Sequence, residues 1–194
     1  TPPGVALELC RQNVENYLRQ LIVANPHIEI SEDELHRWVF EQILSPSIHT
    51  YNQELNSWLC DVHICDPAMG VGALLVGMLE LLTDLRQQLN PAVKRSAIKL
   101  QCLKDNLFGV DIDGDAIEIA KIRLWLSWIL ECTSPRQFIN LERSFIVGNS
   151  LLNEPFGHPL VNAALLKTKV NIPTMKSELV EQCVNIREAL RNLF

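Results

Sequence analysis

Ile64-Cys65-Asp66-Pro67-Ala68-Met69-Gly70-Val71-Gly72-Ala73-Leu74-Leu75 decides how this chain folds. An apolar run ends in an acid, passes through a proline and two closely spaced glycines, and resumes as an apolar helical pattern. That is a strand, a tight turn and a helix, with a turn whose backbone can lie against a ligand. The acid can hold a positive group, and the glycines remove the Cβ atoms that would keep a ligand away. Further along, Leu107-Phe108-Gly109-Val110-Asp111-Ile112-Asp113 repeats the logic, again as apolar residues ending in carboxylates. Two such strand ends side by side predict a nucleotide-type site.

Outward from this core the periodicity predicts a helix over 5–23 that ends before Asn25-Pro26, and a capping box at Ser31-Glu32-Asp33-Glu34 that starts a helix running to Leu44. Ser45-Pro46-Ser47 reads as its close, and 49–56 as a polar loop or short helix. Strands are predicted at 62–66, 107–111 and 145–147, and helices at 72–89, on to 104 after Asn90-Pro91, and at 115–132. An amphipathic pattern returns over 177–193. Alternating strands and helices indicate an α/β fold with a mainly parallel sheet, in which ligands bind across the carboxyl ends of the strands. All three glycine- or acid-bearing strand ends, at 66–72, 111–113 and 148–151, fall there. Asp113 reads as the cap of the helix that follows it.

The bulk composition fits one globular domain with a real core: 194 residues, 47% of them hydrophobic and 21% charged. No run approaches the ~20 apolar residues of a membrane span and no secretory signal opens the chain. Six cysteines scattered through apolar segments suit reduced core thiols and a cytoplasmic setting. Cys60, His63 and Cys65 lack a second ligand pair and are read as buried groups, with no metal site expected. Trp125 and Trp128 read as core. A net charge of −6 argues against this segment alone forming a broad phosphate-binding surface. The chain begins at Thr1 without Met, so it is expected to be a piece of something longer.

Several nucleotide sites are excluded. An NAD-type Gly-x-Gly-x-x-Gly needs a small residue where Leu75 stands, and the partner acid follows at about twice the ~20-residue spacing of that fingerprint. No Gly-Lys-Ser/Thr marks a phosphate loop. Asp111-Ile112-Asp113-Gly114-Asp115 lacks the glycine and glutamate positions of a calcium loop.

The same residues carry a family resemblance. Asp66-Pro67-Ala68-Met69-Gly70-Val71-Gly72 resembles motif I of the S-adenosylmethionine-dependent amino methyltransferases of DNA, where Asp-Pro-Ala-Cys-Gly-Ser-Gly is common. Gly109-Val110-Asp111-Ile112-Asp113, with the helix through Ala116 to Leu126, resembles motif II of the adenine-N6 branch. Ile146-Val147-Gly148-Asn149-Ser150-Leu151-Leu152 resembles motif III, and Thr1-Pro2-Pro3 resembles the end of motif X. The likeness covers 1–23 and 62–157, with the motifs in the X-I-II-III order of type I and IIG restriction-modification proteins.

The resemblance implies a Rossmann-like class I methyltransferase: an N-terminal helical segment with motif X over 1–60 and a cofactor-binding domain over 61–194. It implies S-adenosyl-L-methionine as cofactor and the adenine N6 amine of DNA as methyl acceptor. Asp66 and the backbone of Ala68, Gly70 and Gly72 would face the methionine part, and Asp111 the ribose hydroxyls. Asn149 would meet the adenine amino group, and Thr1 and Pro2 the methionine carboxylate. Pro67, Ile112 and Ser150 complete the implied set. Double-stranded DNA would be held through regions outside this segment, with sequence specificity in a separate domain or subunit.

One departure matters. The branch carries a polar-Pro-Pro-aromatic catalytic motif after motif III, yet no Pro-Pro follows Pro3. Asn153-Glu154-Pro155-Phe156 lacks the second proline and no apolar strand leads into it, so the catalytic residues stay unassigned. Methylation of RNA or of a protein glutamine, and a non-catalytic cofactor-binding subunit, remain the alternatives.

Overall fold

The computed structural model describes residues 2–132 and 139–151. The chain divides into two compact units, residues 1–150 and 151–194, and the elements named here belong to the first. Thr1, the end of the segment around Ser134-Pro135, Asn153-Glu154-Pro155-Phe156, Cys183 and the amphipathic stretch over 177–193 lie outside the described residues.

Four helices precede the first strand: α1 (Pro3–Ala24), α2 (Glu32–Glu41), α3 (Pro46–Thr50) and α4 (Asn52–Asp61). Then come β1 (Ile64–Asp66), α5 (Ala73–Leu89), α6 (Arg95–Gln101), a π-helical turn (Cys102–Asn106), β2 (Leu107–Asp111), α7 (Gly114–Ile129) and β3 (Phe145–Val147). The three strands form one parallel sheet in the order β1-β2-β3. This is an α/β arrangement, rich in helix. No helix among the described residues is long and apolar enough to cross a membrane.

α5 is the central post. Its Leu75, Leu79, Leu82 and Leu85 are fully buried, and α1 lays Ala6, Cys10, Val14 and Leu18 toward it. A helix buried on nearly every side needs apolar residues on nearly every side, which the run Leu74 to Leu89 provides. Its polar positions are answered internally: the Thr83 hydroxyl donates to Leu79 O at 2.6 Å. Lys99, only 1% exposed, donates to Glu80 at 2.5 Å and Glu131 at 2.6 Å. Arg95 pairs with Asp84, Glu80 and Glu131 in the same network, which ties α5, α6 and the end of α7 together.

The capping box of α2 forms as read. Glu34 N–H donates to Ser31 Oγ at 3.3 Å, and Ser31 N–H to Glu34 Oε2 at 3.1 Å. The bond from Ser31 N–H first, then those from the Ser31, Ser47 and Ser45 hydroxyls, push the Glu34 carboxyl down to about 2. The helix ends earlier than predicted. Gln42 takes a left-handed φ of 62°, and Gln88 of α5 donates to its side-chain oxygen at 2.7 Å while accepting from Trp38 Nε1 at 2.9 Å. A tertiary bridge therefore stops α2 where periodicity would have carried it on.

Ser45-Pro46, read as a close, is a start. Ser45 Oγ accepts from Ile48 N–H at 3.3 Å and Pro46 opens α3. The 49–56 segment is helical through α3 and α4 because Ile48, Leu55 and Leu59 are fully buried, which polar composition alone conceals. The thiol reading also needs correction. Cys10 and Cys102 are buried and Cys60 is half-buried, but Cys65 and His63 are exposed. The His63 ring stacks on Phe108 with centroids 5.7 Å apart. Trp128 is core, 6% exposed, whereas Trp125 is half-buried.

Asn106 fixes the start of the sheet. Fully buried, it donates through Nδ2 to the carbonyls of Cys60 at 2.9 Å and Val62 at 2.7 Å. It thereby closes the carboxyl end of α4 and sets β1 beside β2. The register then pairs Asp66 with Gly109 and Asp111 with Val147, so the strands deliver their loops to one edge.

Candidate functional site

β1 ends at Asp66, whose Oδ1 accepts from Ala68 N–H at 3.1 Å and turns the chain away from the strand. The chain then crosses to the end of β2. Met69 N–H donates to Val110 O at 3.1 Å, and Gly70 N–H donates to Asp111 Oδ2 at 2.7 Å. Gly72 N–H returns to Met69 O at 2.8 Å, and Gly72 O receives Val76 N–H at 2.9 Å as α5 begins.

Gly70 and Gly72 both have positive φ, 51° and 75°. A Cβ on Gly72 would sit 3.0 Å from Ala120 Cβ, so that glycine is required by the approach of α7. Gly70 is different: nothing lies within 4 Å of where its Cβ would be, leaving its outer side open to a ligand. Gly109 serves a third purpose. A Cβ there would overlap Met69 Sδ, because the Met69 side chain, 4% exposed, passes beneath β2 at that point.

Asp111 stands at the centre. Its Oδ1 accepts from Asp113 N–H at 3.0 Å while Oδ2 holds Gly70. These two backbone bonds, the one from Asp113 first, hold its carboxyl below the usual carboxylate range. A carboxylate has about four acceptor positions, more than these backbone bonds fill. Asp113 caps α7, accepting from Asp115 N–H at 3.0 Å. Ile112 between them is 73% exposed and forms an apolar rim. On the other side of β2, Gly148 N–H donates to Asp111 O at 2.8 Å, which brings the exposed Asn149 and Ser150 to the same edge.

Asp66, Ala68, Gly70, Gly72, Asp111, Ile112, Asn149 and Ser150 are thus gathered at one edge of the sheet. Pro2 is exposed at the start of α1, and Ala6 N–H donates to its carbonyl at 3.0 Å. α1 is joined to the early turns of α5, where the Cys10 thiol donates to Leu74 O at 3.4 Å. Burial, with Asp66 nearby, pushes that thiol up to about 11. A cavity of about 430 Å³ is lined from α1, β1 and α5, by Leu9, Cys10, Asn13, Tyr17, Asp66 and Pro67 among others. Of the described residues in the sequence-derived set, Asp66 and Pro67 line it. The glycines and Asp111 belong to the adjoining rim.

Sequence reasoning missed Arg123. From α7 its Nη1 donates to Val71 O at 2.6 Å. Its signal was its place three residues after Ala120 on one helix face, legible only once that helix was known to pack on the loop.

Asp66, Asp111 and Asp113 present carboxylates that accept hydroxyl or ammonium donors and repel a pyrophosphate.

Among known proteins the chain is similar to "Putative type II restriction enzyme and methyltransferase RM.MjaORFECS2P" of Methanocaldococcus jannaschii, with 35% identity over 101 residues. That alignment takes in 47% of this chain and 9% of the relative, so the chain spans a small part of that protein's length. No family model and no solved structure matches it.

Proposed function

We propose that this chain is the cofactor-binding part of an S-adenosylmethionine-dependent methyltransferase of a restriction-modification system, acting on the N6 amine of adenine in DNA. The observation that carries the reading is the junction of Gly70 with Asp111: a glycine loop open on its outer side, fastened to a carboxylate with acceptor positions to spare. The similarity to a restriction enzyme and methyltransferase supports the same assignment, as does the order of the sequence motifs. The fold is accordingly of the Rossmann-like class I type.

S-adenosylmethionine, when bound, supplies a methyl group on a sulfonium. The chain's own residues do the holding. Asp111 takes the ribose hydroxyls, Asp66 and the loop backbone of Ala68, Gly70 and Gly72 face the methionine portion, and Ile112 packs against the adenine. Asn149 accepts from the adenine amino group, with Ser150 beside it. Thr1 and Pro2 take the methionine carboxylate, and Pro67 shapes the turn. Fixing the cofactor this way supplies proximity; polarising the acceptor amine is left to the polar-Pro-Pro-aromatic motif, which this sequence does not contain. DNA, held through other regions, would deliver the adenine out of its stack.

Calorimetry with S-adenosylhomocysteine tests the reading. The chain should bind it, a large excess of ATP or NAD should not compete, and Asp111→Ala should weaken binding by about tenfold or more while the chain stays folded. Absence of heat with folded protein at millimolar ligand, or equal affinity in the variant, would sink the cofactor assignment or the ribose assignment respectively.

A further inference from the structure

We propose that Arg123 is a positioning residue for the cofactor: from α7 it holds the Val71 carbonyl and so fixes the course of the glycine loop that borders the ligand. The inference rests on the cofactor reading above.

The loop is joined to the β2–α7 unit at successive residues, and each joint is of a different kind. Met69 N–H is held by Val110 O at 3.1 Å, and its side chain is buried beneath Gly109. Gly70 N–H is held by Asp111 at 2.7 Å, and Gly72 is pressed against Ala120. Val71 lacks burial, since its side chain is 43% exposed, and the Val71–Gly72 peptide is otherwise held from one side, by Gly72 N–H to Met69 O at 2.8 Å. Val71 also sits between two glycines of positive φ, where the peptide planes meet the least steric resistance to turning over. Turning the Val71–Gly72 peptide over would break the Gly72 N–H bond to Met69 O and shift the loop that borders the ligand edge. The 2.6 Å bond from Arg123 to Val71 O selects one orientation, and bonds from an ionised donor are the strong ones.

The surroundings show that the arginine is not engaged elsewhere by charge. Lys121, two residues earlier on α7, is paired with Glu118 at 2.5 Å and Glu142 at 2.8 Å. Among the described residues no carboxylate lies within ion-pair distance of Arg123. Ala120 and Arg123 present one face of α7 to the loop, the first by allowing close approach and the second by reaching across.

The test uses the 194-residue chain with Arg123→Met, which keeps the aliphatic stem and removes the donors, and Arg123→Lys, which keeps a charged donor. Calorimetry reads S-adenosylhomocysteine affinity, NMR hydrogen exchange reads the Gly72 amide, and thermal melting reads stability. The Met variant should bind about tenfold more weakly and exchange Gly72 N–H faster, with a melting temperature close to that of the parent, and the Lys variant should recover part of the affinity. Unchanged affinity and exchange in the Met variant overturn the proposal. So does an affinity loss that tracks a fall in melting temperature and is not recovered by Lys. If the parent chain itself does not bind S-adenosylhomocysteine, the cofactor reading fails, and Gly72 exchange alone then decides whether Arg123 positions the loop.

Discussion

Met69 occupies the position where the resembling family commonly carries cysteine, and its neighbour across the sheet explains how it fits. The thioether lies beneath β2 at Gly109, in space that any Cβ at 109 would claim. Gly109→Ala should therefore destabilise the chain by about 1–3 kcal/mol through overpacking. Gly109→Ala should cost much less in a Met69→Ala background, because the two changes meet at one point. Urea denaturation of the two single variants and the double variant measures it, and simple additivity would remove the explanation. The sequence showed both residues but not their meeting, since a glycine in a strand says that something approaches closely and never what. Arg123 escaped notice for the same reason: its partner is a backbone carbonyl, which leaves no mark in residue identities.

Helix boundaries divide into those written locally and those imposed from outside. Ser31-Glu32-Asp33-Glu34 closes its box from residues within one turn, so it is legible in sequence and it forms. Ser31→Ala should cost about 1 kcal/mol at neutral pH. The Glu34 carboxyl is lowered from 4.5 to about 2 in the folded chain, so its contribution is complete above about pH 4.5. It is lost as pH falls through that range toward 2, where the folded group protonates too. The difference between parent and Ser31→Ala should thus shrink between pH 5 and pH 2, as followed by chemical denaturation at each pH; a constant or growing difference would contradict the box. The carboxyl end of α2 is different, because the bridge through Gln88 and Trp38 joins residues far apart in the chain. Ser45-Pro46 was misread because the same dipeptide can follow one helix or begin the next. Burial of Ile48, Leu55 and Leu59 decides which.

For the whole molecule, the balance of charge and the missing motif together set an expectation. The chain as it stands should transfer no methyl group to DNA, since it carries −6 and no Pro-Pro after Pro3. Labelled-methyl transfer to unmethylated bacterial DNA measures this, and activity would show that Asn153-Glu154-Pro155-Phe156 had been dismissed wrongly. The sequence by itself determined the strands at 107–111 and 145–147, the glycine turn between β1 and α5 and the cap of α7, because each depends on residues adjacent in the chain. Steric freedom at glycine, a capping carboxylate and an apolar run act within a few residues, so they can be read in order. Tertiary structure alone decided the strand order β1-β2-β3, the hold of Asp111 on Gly70, the reach of Arg123 to Val71 and the closure of α4 by Asn106. Each of these joins a side chain to a backbone group or an element distant in sequence. A backbone N–H or C=O is the same at every position, so nothing in the letters says which one a side chain will find.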